Sequence, residues 1–416
     1  MALSQPTPHV SSNHLSSFTP ILPHEIWREI FQFATLIPDE LEISHMFYPG
    51  VFGDQRQRQL VAWKNVLPLR VAIQNVSRLW HSIGVEILYQ SFHFDGCDNW
   101  NVSRLVSTLR TKPSYRVLVK CLNLWLGVDK RTHANVDFIL RSCPKILILS
   151  MKVSNTTLRV WLNACSLLPL LRLLQVDLYY PGAWPSPVPV PVGPFILPNL
   201  RHFHLSSTSG RGGILTIERL LSLPRLTSLS LELRGQSPAP SLCKDLMSGL
   251  THLKLKGRGL LPYLFQAMEF PLLHIFQFDG CRRPQGTLLS ECPNLPIHQI
   301  DILILTLPGF RINRPQILYG PFHEWGASVH RILAEARDPT LMPKLKRVIL
   351  KEGSSPRIAL DDLFPSYGDL VSCYTPLADV FDSRGVELSV RTRDGKWDWE
   401  VDVPIRDFIL QMESRF

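Results

Sequence analysis

The amino-acid sequence predicts an α/β protein, in which a small α-helical module is followed by a solenoid of stacked repeats with a curved parallel sheet. Two observations predict this fold class. Apolar residues recur at helical spacing within residues 22–92, and from Val117 onward a different pattern recurs every 23 to 29 residues. Repeats of this length stack, because a single repeat cannot bury its own apolar face. We expect a disordered tail at 1–20, the helical module at 21–95, the solenoid at 96–353 and a C-terminal repeat or cap at 354–416.

The composition restricts the class of protein. The chain has 416 residues, 45% of them hydrophobic, and a formal net charge of +9, which indicates a mild preference for acidic partners. Its eight cysteines form no CxxC pair, which fits a reducing compartment. There is no secretory signal and no apolar run of the ~18 residues needed to span a bilayer. We therefore expect a soluble protein of the cytoplasm, the nucleus or both, without a membrane partner.

The first predicted helix covers residues 22–35. Pro23 suits the first helical position, because its missing N–H would be unpaired there in any case. The apolar residues of this helix recur at helical spacing and form a stripe that is too rich for a surface helix, so another element must cover it. The stripe consists of Ile26, Trp27, Ile30, Phe31 and Ala34.

A second helical pattern covers residues 67–92, with a kink or division expected at Gly84. Residues 38–66, between the two patterns, mix acidic residues with glycine and proline and have no sustained period, so we interpret them as an irregular insertion. The second pattern places six apolar residues on one buried face: Leu69, Ile73, Val76, Trp80, Ile83 and Ile87.

The stretches LPHEIWREIFQFAT and VSRLWHSIGVEILYQSF together resemble the two halves of an F-box, in the form common among the expanded fungal members of that family. In the family, the module docks on a Skp-type adaptor, which tethers it to a cullin ubiquitin ligase. Ser77 stands where a cysteine is frequent, and the insertion separates the halves by more residues than usual. The alternative is that the stripe packs only against the following repeats. The resemblance implies adaptor contacts at Leu22, Pro23, Ile26, Ile30, Phe31, Trp80, Leu88 and Tyr89.

The repeat template is an anchor residue, usually proline, followed by apolar residues two, five and seven positions later. Pro198, for example, is followed by Leu200, Phe203 and Leu205. A period in the twenties with this LxxLxL pattern is typical of leucine-rich repeats. The 72 residues between the last two anchors indicate three further units, with a strand at 300–307 in the first of them. The template fits the anchors Val117, Pro144, Pro169, Pro198, Pro224, Ser248, Pro271 and Pro343.

A linking helix is expected at 102–110, before the repeats, and helices on the outer side of the solenoid are expected at 133–140 and 217–223. The proline-rich residues 181–198 favour polyproline II, so we interpret them as an extended segment that replaces a helix, with a ligand for an SH3-like domain as the alternative. Cys143 and Cys292 precede repeat prolines and are interpreted as core packing. Towards the C-terminus we expect a helix at 325–337, a strand at 386–392 and a cap at 401–416.

No catalytic, cofactor-binding or metal-binding signature is present. The sequence lacks GxGxxG, P-loop, GxSxG and HExxH motifs. His323 and His330 are seven residues apart, which on a helix separates them by about 10 Å, too far to share a zinc ion. His202 and His204 would share a strand face, but no third ligand is evident. We therefore expect a protein that is not an enzyme and that needs no cofactor.

The concave face of the sheet is the predicted substrate surface. Strand side chains alternate, so the residues three, four and six positions after each anchor face this side. These 24 positions contain Lys, Arg and His but no Asp or Glu. We expect an acidic or phosphorylated protein segment as the substrate, with a solvated face as the alternative. The candidate substrate-binding residues are Arg172, Arg201, His202, His204, His252 and Lys254.

A separate basic cluster lies near the junction of the module and the solenoid, with Tyr115 and Trp125 as its interleaved aromatic residues. It could contact nucleic acid, but the sequence favours a solvated face. The basic cluster consists of Arg104, Arg110, Lys112, Arg116, Lys120, Lys130 and Arg131.

Taken together, the sequence predicts a substrate-recruiting adaptor subunit of an SCF-type ubiquitin ligase. The alternative is a leucine-rich-repeat scaffold with no ubiquitin-ligase role.

Overall fold

The computed structural model describes residues 22–35, 37, 52–94, 99–125, 130–154, 157–179, 195–207, 221–233, 248–257, 270–279, 295–307, 332–352, 367–393 and 400–413. Within these residues, the protein has three N-terminal helices and a twelve-stranded, open and mostly parallel sheet. The predicted α/β class is confirmed. No helix in this part of the chain has the length and apolar character needed to cross a membrane. The expected tail at 1–20 lies outside the described residues.

The three N-terminal helices are α1 (His24–Ala34), α2 (Phe52–Ile73) and α3 (Arg78–Gln90). Pro23 lies one position before α1 and not in its first turn, and its carbonyl accepts hydrogen bonds from the N–H groups of Ile26 and Trp27. Since α1 is only 11 residues long, its stability depends on packing against α3.

The prediction of an irregular insertion at 38–66 is wrong for residues 52–66, which belong to helix α2. Helix α2 lacks a clear periodic stripe, and its described side chains, at residues 60–73, include the exposed apolar Val61, Leu69 and Val71. Leu60 and Ile73 are buried, and so is the polar Arg70. Tertiary contacts with α3 therefore decide its structure more than local pattern does. Residues 38–51 lie outside the described residues.

The break between the second and third helices lies at residues 74–77, and the expected kink at Gly84 is not found. The hydroxyl of Ser77 caps α3 by accepting a hydrogen bond from the N–H of Trp80 at 3.1 Å. Gly84 is needed for a different reason, since a Cβ there would lie 2.9 Å from the backbone nitrogen of Gln74. The break also leaves Leu69 and Val76 exposed, so the single buried face predicted for six residues is wrong.

The main sheet has the strand order β1-β2-β3-β4-β6-β8-β9-β10-β11-β12-β13-β14. Every neighbouring pair is parallel except the last, β13 and β14. A second, two-stranded parallel sheet is formed by β5 and β7. The strands are β1 (Ser91–Phe94), β2 (Cys121–Leu124), β3 (Ile148–Ser154), β4 (Leu173–Tyr179), β5 (Phe195–Ile196), β6 (His202–Ser207), β7 (Leu221–Ser222), β8 (Ser228–Leu233), β9 (His252–Gly257), β10 (Ile275–Asp279), β11 (Ile302–Leu307), β12 (Arg347–Glu352), β13 (Glu387–Arg393) and β14 (Glu400–Pro404).

The repeat template is confirmed by the sheet. Each of the eight predicted anchors is followed, four positions later, by the first residue of a strand. The apolar residues at template positions two, five and seven are buried in one continuous core, as Leu200, Phe203 and Leu205 illustrate. Helices α4 (Asn99–Thr111), α5 (Lys130–Ser142) and α6 (Leu158–Cys165) pack their apolar residues into the same core.

Two details of the repeat prediction are wrong. Strand β11 pairs directly with both β10 and β12, so the 72 residues between the last two anchors contain two units instead of three. The second of them is long, and a long connection adds little entropic cost to closing the chain. The sheet also begins earlier than expected, because Ser91, within the predicted helical module, already pairs with Cys121.

The outer side of the solenoid follows the predictions in part. Helices α4 and α5 contain the helices expected at 102–110 and 133–140. The prediction of a helix at 217–223 is wrong for residues 221 and 222, because Leu221–Ser222 forms strand β7 and pairs with β5. Residues 181–194 and 217–220 lie outside the described residues, as does Cys292.

Cys143 is fully buried, and burial raises the pKa of its thiol to about 12.

The C-terminal part contains helix α7 (Tyr367–Ser383), strands β13 and β14, and helix α8 (Ile405–Glu413). Gly385 has a φ of 66° and ends α7, with the N–H of Val386 bonded to the carbonyl of Phe381. Strand β13 continues the parallel sheet, whereas β14 reverses direction. Of the helix expected at 325–337, residues 332–337 are described and helical.

Candidate functional site

An apolar stripe on α1 is the clearest exposed feature of the N-terminal helices. Ile26, Ile30 and Phe33 are 40%, 42% and 83% exposed. Their spacing of four and three residues places them on one face of the helix, and we call these three residues the α1 stripe. Ile26 and Ile30 were predicted partner contacts, whereas Phe33 was missed, although its spacing from Ile30 was a readable signal.

The opposite face of α1 forms the core of the module. The ring of Trp80, on α3, lies 4.6 Å from that of Phe31 and 4.8 Å from that of Trp27, measured between centroids. Phe31 is only 4% exposed, and Ile73, Ile83 and Ile87 complete the cluster. Phe31 and Trp80 therefore hold the helices together, and the burial of Phe31 corrects its predicted role as a partner contact. The cause is that the small module builds its core from the aromatic side chains of α1 that face α3.

The remaining predicted partner residues lie at the two ends of the module. Leu22 is half-buried and Pro23 is exposed, both just before α1. Leu88 and Tyr89 are half-buried at the end of α3. The ring of Tyr89 packs on that of Tyr115 with centroids 4.6 Å apart, so Tyr89 links α3 to the segment that contains Tyr115.

Exposed apolar side chains are concentrated in the N-terminal module. Among the described residues, eight of the sixteen large apolar side chains with high exposure lie between residues 22 and 90. Scattered exposed apolar residues are ordinary on protein surfaces, but their concentration here makes the N-terminal module a candidate interaction surface. Besides the α1 stripe, the group contains Val61, Leu69, Val71, Val76 and Leu79.

An ion pair fixes the orientation of α1 on α3. A guanidinium nitrogen of Arg28 lies 2.8 Å from a carboxylate oxygen of Glu86, and both side chains are partly exposed. A pair of this exposure contributes little stability by itself. It is consistent with the orientation of α1 that the packing of Trp27 and Phe31 on Trp80 sets.

Arg172 and Arg201 are two exposed cations of the predicted concave face. They directly precede the neighbouring strands β4 and β6 at the same template position, and the backbone N–H of Arg201 donates to the carbonyl of Arg172 at 2.9 Å. Within the described part of the chain, neither side chain has a carboxylate partner. Lys254 is half-buried on the same face. The two arginines are therefore the substrate-binding candidates that the structure leaves most accessible.

The three candidate histidines are buried or half-buried on this face. His204 is buried, and its Nδ1 lies 2.8 Å from the hydroxyl of Ser230. Burial, together with the charge of His252 and Arg201, lowers the pKa of His202 to about 3. Burial and His274 lower the pKa of His252 to about 4. His202 and His252 are therefore neutral at pH 7, and His204 is internal, so positive charge on this face comes from the arginines and lysines.

The predicted concave face also contains acidic residues at positions outside the template. Asp177 and Glu232 follow eight positions after their anchors, and strand alternation puts them on this face. Asp301, in the unit that had no predicted anchor, lies 3.7 Å from His274 and 3.8 Å from Lys346. The predicted concave face therefore carries both acidic and basic side chains. Arg172 and Arg201 are the exposed arginines on it that have no carboxylate partner among the described residues.

Two surfaces are thus candidates for function, the α1 stripe and the pair Arg172 and Arg201. Over the described ranges, no group of three or more His, Cys, Asp or Glu side chains is arranged to hold a metal ion. His323 and His330 lie outside those ranges. A scan against models of protein families found no match to this chain, and a search of curated proteins found none either.

Proposed function

We propose that this protein is a substrate-recruiting adaptor subunit of an SCF-type ubiquitin ligase, consistent with the F-box resemblance of its N-terminal sequence. In this role, the N-terminal helices bind a Skp-type adaptor, and through it a cullin, while the repeats bind a protein substrate. The observation that carries the proposal is the α1 stripe. Its three side chains are exposed although the helix they belong to has a well-packed opposite face.

The geometry of the stripe favours binding in a partner's groove. Apolar residues spaced by four and three positions are the contacts that a helix presents to such a groove. Complete burial of Ile26, Ile30 and Phe33 would contribute roughly 1 to 2 kcal/mol for each side chain. The stripe does not need to rearrange before binding, because Trp27, Phe31 and Trp80 already hold α1 in place.

The chemical contribution of this chain is positional. The ligase transfers ubiquitin with its own catalytic subunits, and the adaptor raises the effective concentration of substrate lysines near them. Arg172 and Arg201 are suited to an acidic or phosphorylated segment of the substrate, because a guanidinium group forms bidentate hydrogen bonds with carboxylate and phosphate.

A binding assay with a purified Skp-type adaptor tests the proposal. The wild-type chain should retain the adaptor, and the double variant Ile30→Glu with Phe33→Glu should lose it, because two charges would be placed in an apolar contact. The variant should stay folded, since both side chains are exposed. Phe31 is left unchanged because it is buried in the module.

The matched control is Val160→Glu with Leu410→Glu, which adds the same charges at exposed apolar positions outside the N-terminal module. This control should bind the adaptor as the wild type does. If the wild type itself fails to bind, the ligase role is wrong, and the scaffold without a ligase becomes the better interpretation.

A further inference from the structure

Four cations between residues 104 and 116 have no carboxylate partner among the described residues. Arg104 and Arg110 lie on α4, and Lys112 and Arg116 belong to the segment that follows it, which ends in a 3-10 helix, Pro113–Val117. We call these four residues the cationic face. Residues 99–125 contain no Asp or Glu at all. The charge of this face is therefore uncompensated within its own segment.

Several arginines elsewhere in the described chain form ion pairs with carboxylates. Arg28, Arg347 and Arg406 each lie within 2.8 Å of a carboxylate oxygen. The acid nearest in sequence to the cationic face on the neighbouring helix, Asp137, is itself paired with Arg141 at 2.8 Å. The contrast indicates that the positive charge of the cationic face is available to a partner.

Aromatic rings hold the cations of this face in place. The guanidinium carbon of Arg104 lies 4.3 Å from the ring centroid of Trp100, and the ammonium of Lys112 lies 5.1 Å from that of Tyr115. Arg110 and Arg116 both lie over Phe138, at 4.9 and 5.5 Å. A cation–π contact orients a cation but leaves its charge in place.

The structure adds two rings that the sequence did not place near this cluster. Trp100 joins it because α4 carries Trp100 and Arg104 one helical turn apart. Phe138 joins it because α5 packs beside α4, with Asn135 donating to Ser103 at 3.0 Å. Trp100 is 66% exposed, so a large part of its ring is open to solvent.

From this arrangement we infer that the cationic face binds single-stranded nucleic acid. Cations distributed along a surface suit a chain of phosphates better than a single phosphate group, which needs cations that converge on one point. Exposed rings and guanidinium planes stack unpaired bases. A duplex keeps its bases stacked inside, and an acidic peptide offers a flat group only where it contains an aromatic residue, whereas every nucleotide carries a planar base. This inference does not depend on the ligase function.

The experiment is a fluorescence anisotropy titration of the full chain with a labelled single-stranded RNA of about 20 nucleotides, longer than one typical binding site. The salt concentration is varied from about 50 to 200 mM. The wild type should bind, with an affinity that falls as salt rises. The variant Arg104→Glu with Arg110→Glu should bind at least about tenfold more weakly, and its salt slope should decrease by about 1.4 if two phosphate contacts are lost.

The matched control is Lys64→Glu with Lys344→Glu, which changes the net charge equally at two exposed positions away from this face. The control should keep the wild-type affinity, and equal losses in the two variants would overturn the inference. Trp100→Ala should weaken RNA binding about fivefold or more, and an unchanged affinity would overturn the stacking role. If a duplex binds as tightly as the single strand, or only polyglutamate binds, the partner is not single-stranded nucleic acid.

The Arg110 side chain packs on Phe138, so circular dichroism of each variant is part of the experiment. If Arg104→Glu with Arg110→Glu is misfolded, Arg104→Glu with Lys112→Glu replaces it, because both side chains are exposed. The same loss of affinity is then expected, and full retention of binding would overturn the inference.

Discussion

The guanidinium group of Arg70 donates a hydrogen bond from Nη1 to the hydroxyl of Ser91 at 2.9 Å. Arg70 lies on α2, and Ser91 is the first residue of β1, so this buried bond connects the N-terminal helices to the sheet. The other terminal nitrogen, Nη2, donates to the carbonyl of Thr35, directly after α1, at 3.1 Å. One side chain thus links α1, α2 and the first strand, and the α1 stripe is held in a fixed place relative to the repeats.

Replacing Arg70 with methionine should destabilise the protein. The apolar side chain fills a similar volume but leaves the Ser91 hydroxyl and the Thr35 carbonyl without this donor, at a cost of about 3 kcal/mol. Chemical denaturation measures the free energy of unfolding. Arg78→Met is the control, because Arg78 is exposed. If Arg70→Met lowers the free energy of unfolding as little as the control does, Arg70 does not connect the N-terminal helices to the sheet.

The C-terminal edge of the sheet depends on a second buried arginine. Arg391, on β13, is 3% exposed and forms two hydrogen bonds with Asp402 on β14, at 2.5 and 2.8 Å. Asp402→Asn removes the compensating charge and should lower the free energy of unfolding by about 3 kcal/mol, because a buried cation is left without it.

The control for this substitution is Asp379→Asn. Asp379 forms an ion pair with Arg406 at 2.7 Å, but both side chains are more than half exposed. An exposed pair is screened by solvent, so its loss should leave the free energy of unfolding nearly unchanged. Equal effects of the two substitutions in chemical denaturation would contradict the structural role assigned to Asp402.

His202 and His252 should make the protein less stable in mild acid. Their pKa values, about 3 and about 4, lie below the ordinary value of 6.5, chiefly because of burial. As the pH falls below 6.5, the unfolded chain therefore takes up protons that the folded chain does not. The free energy of unfolding should fall by roughly 2 kcal/mol for each histidine between pH 7 and pH 5.

Replacing both histidines with glutamine should flatten this pH dependence, and urea denaturation at several pH values measures the change. The control is His81→Gln on the exposed surface of α3, which should keep the wild-type slope. If the double variant loses stability in acid as steeply as the wild type, other groups are responsible.

Reversing the charge at Arg172 and Arg201 should abolish capture of acidic or phosphorylated segments. Both side chains are exposed, so the double glutamate variant should remain as stable as the wild type. An array of acidic and phosphorylated peptides measures the loss. Lys64→Glu with Lys344→Glu again serves as the charge-matched control. Unchanged peptide binding by the Arg172 and Arg201 variant would show that these two arginines do not bind the substrate.

The repeats were predictable because their signal is local and periodic. Each strand begins four residues after its anchor, and the template leucines alone specify which side of the strand is buried. The unit around Ile302 was harder to place, because its preceding segment lacks the anchor spacing of the others. The number of units in that region became clear only from the pairing of β10, β11 and β12.

The candidate site was predictable only in part. The apolar residues of α1 can be read from the sequence, but both of its faces are apolar, so local pattern cannot distinguish the packed Phe31 from the exposed Phe33. The position of Trp80 on α3 decides between them. In the same way, the basic residues of the strands were visible, whereas the neutral state of His202 depends on its burial among neighbours.

The sequence by itself determined the α/β class, the period of the repeats, the side of each strand that enters the core and the apolar character of α1, because these follow from side-chain spacing along one element. Only the tertiary structure decided where α2 lies, which face of α1 is free, and which cations have no carboxylate partner. Those properties depend on contacts between residues far apart in the chain, such as Arg70 with Ser91 and Arg110 with Phe138.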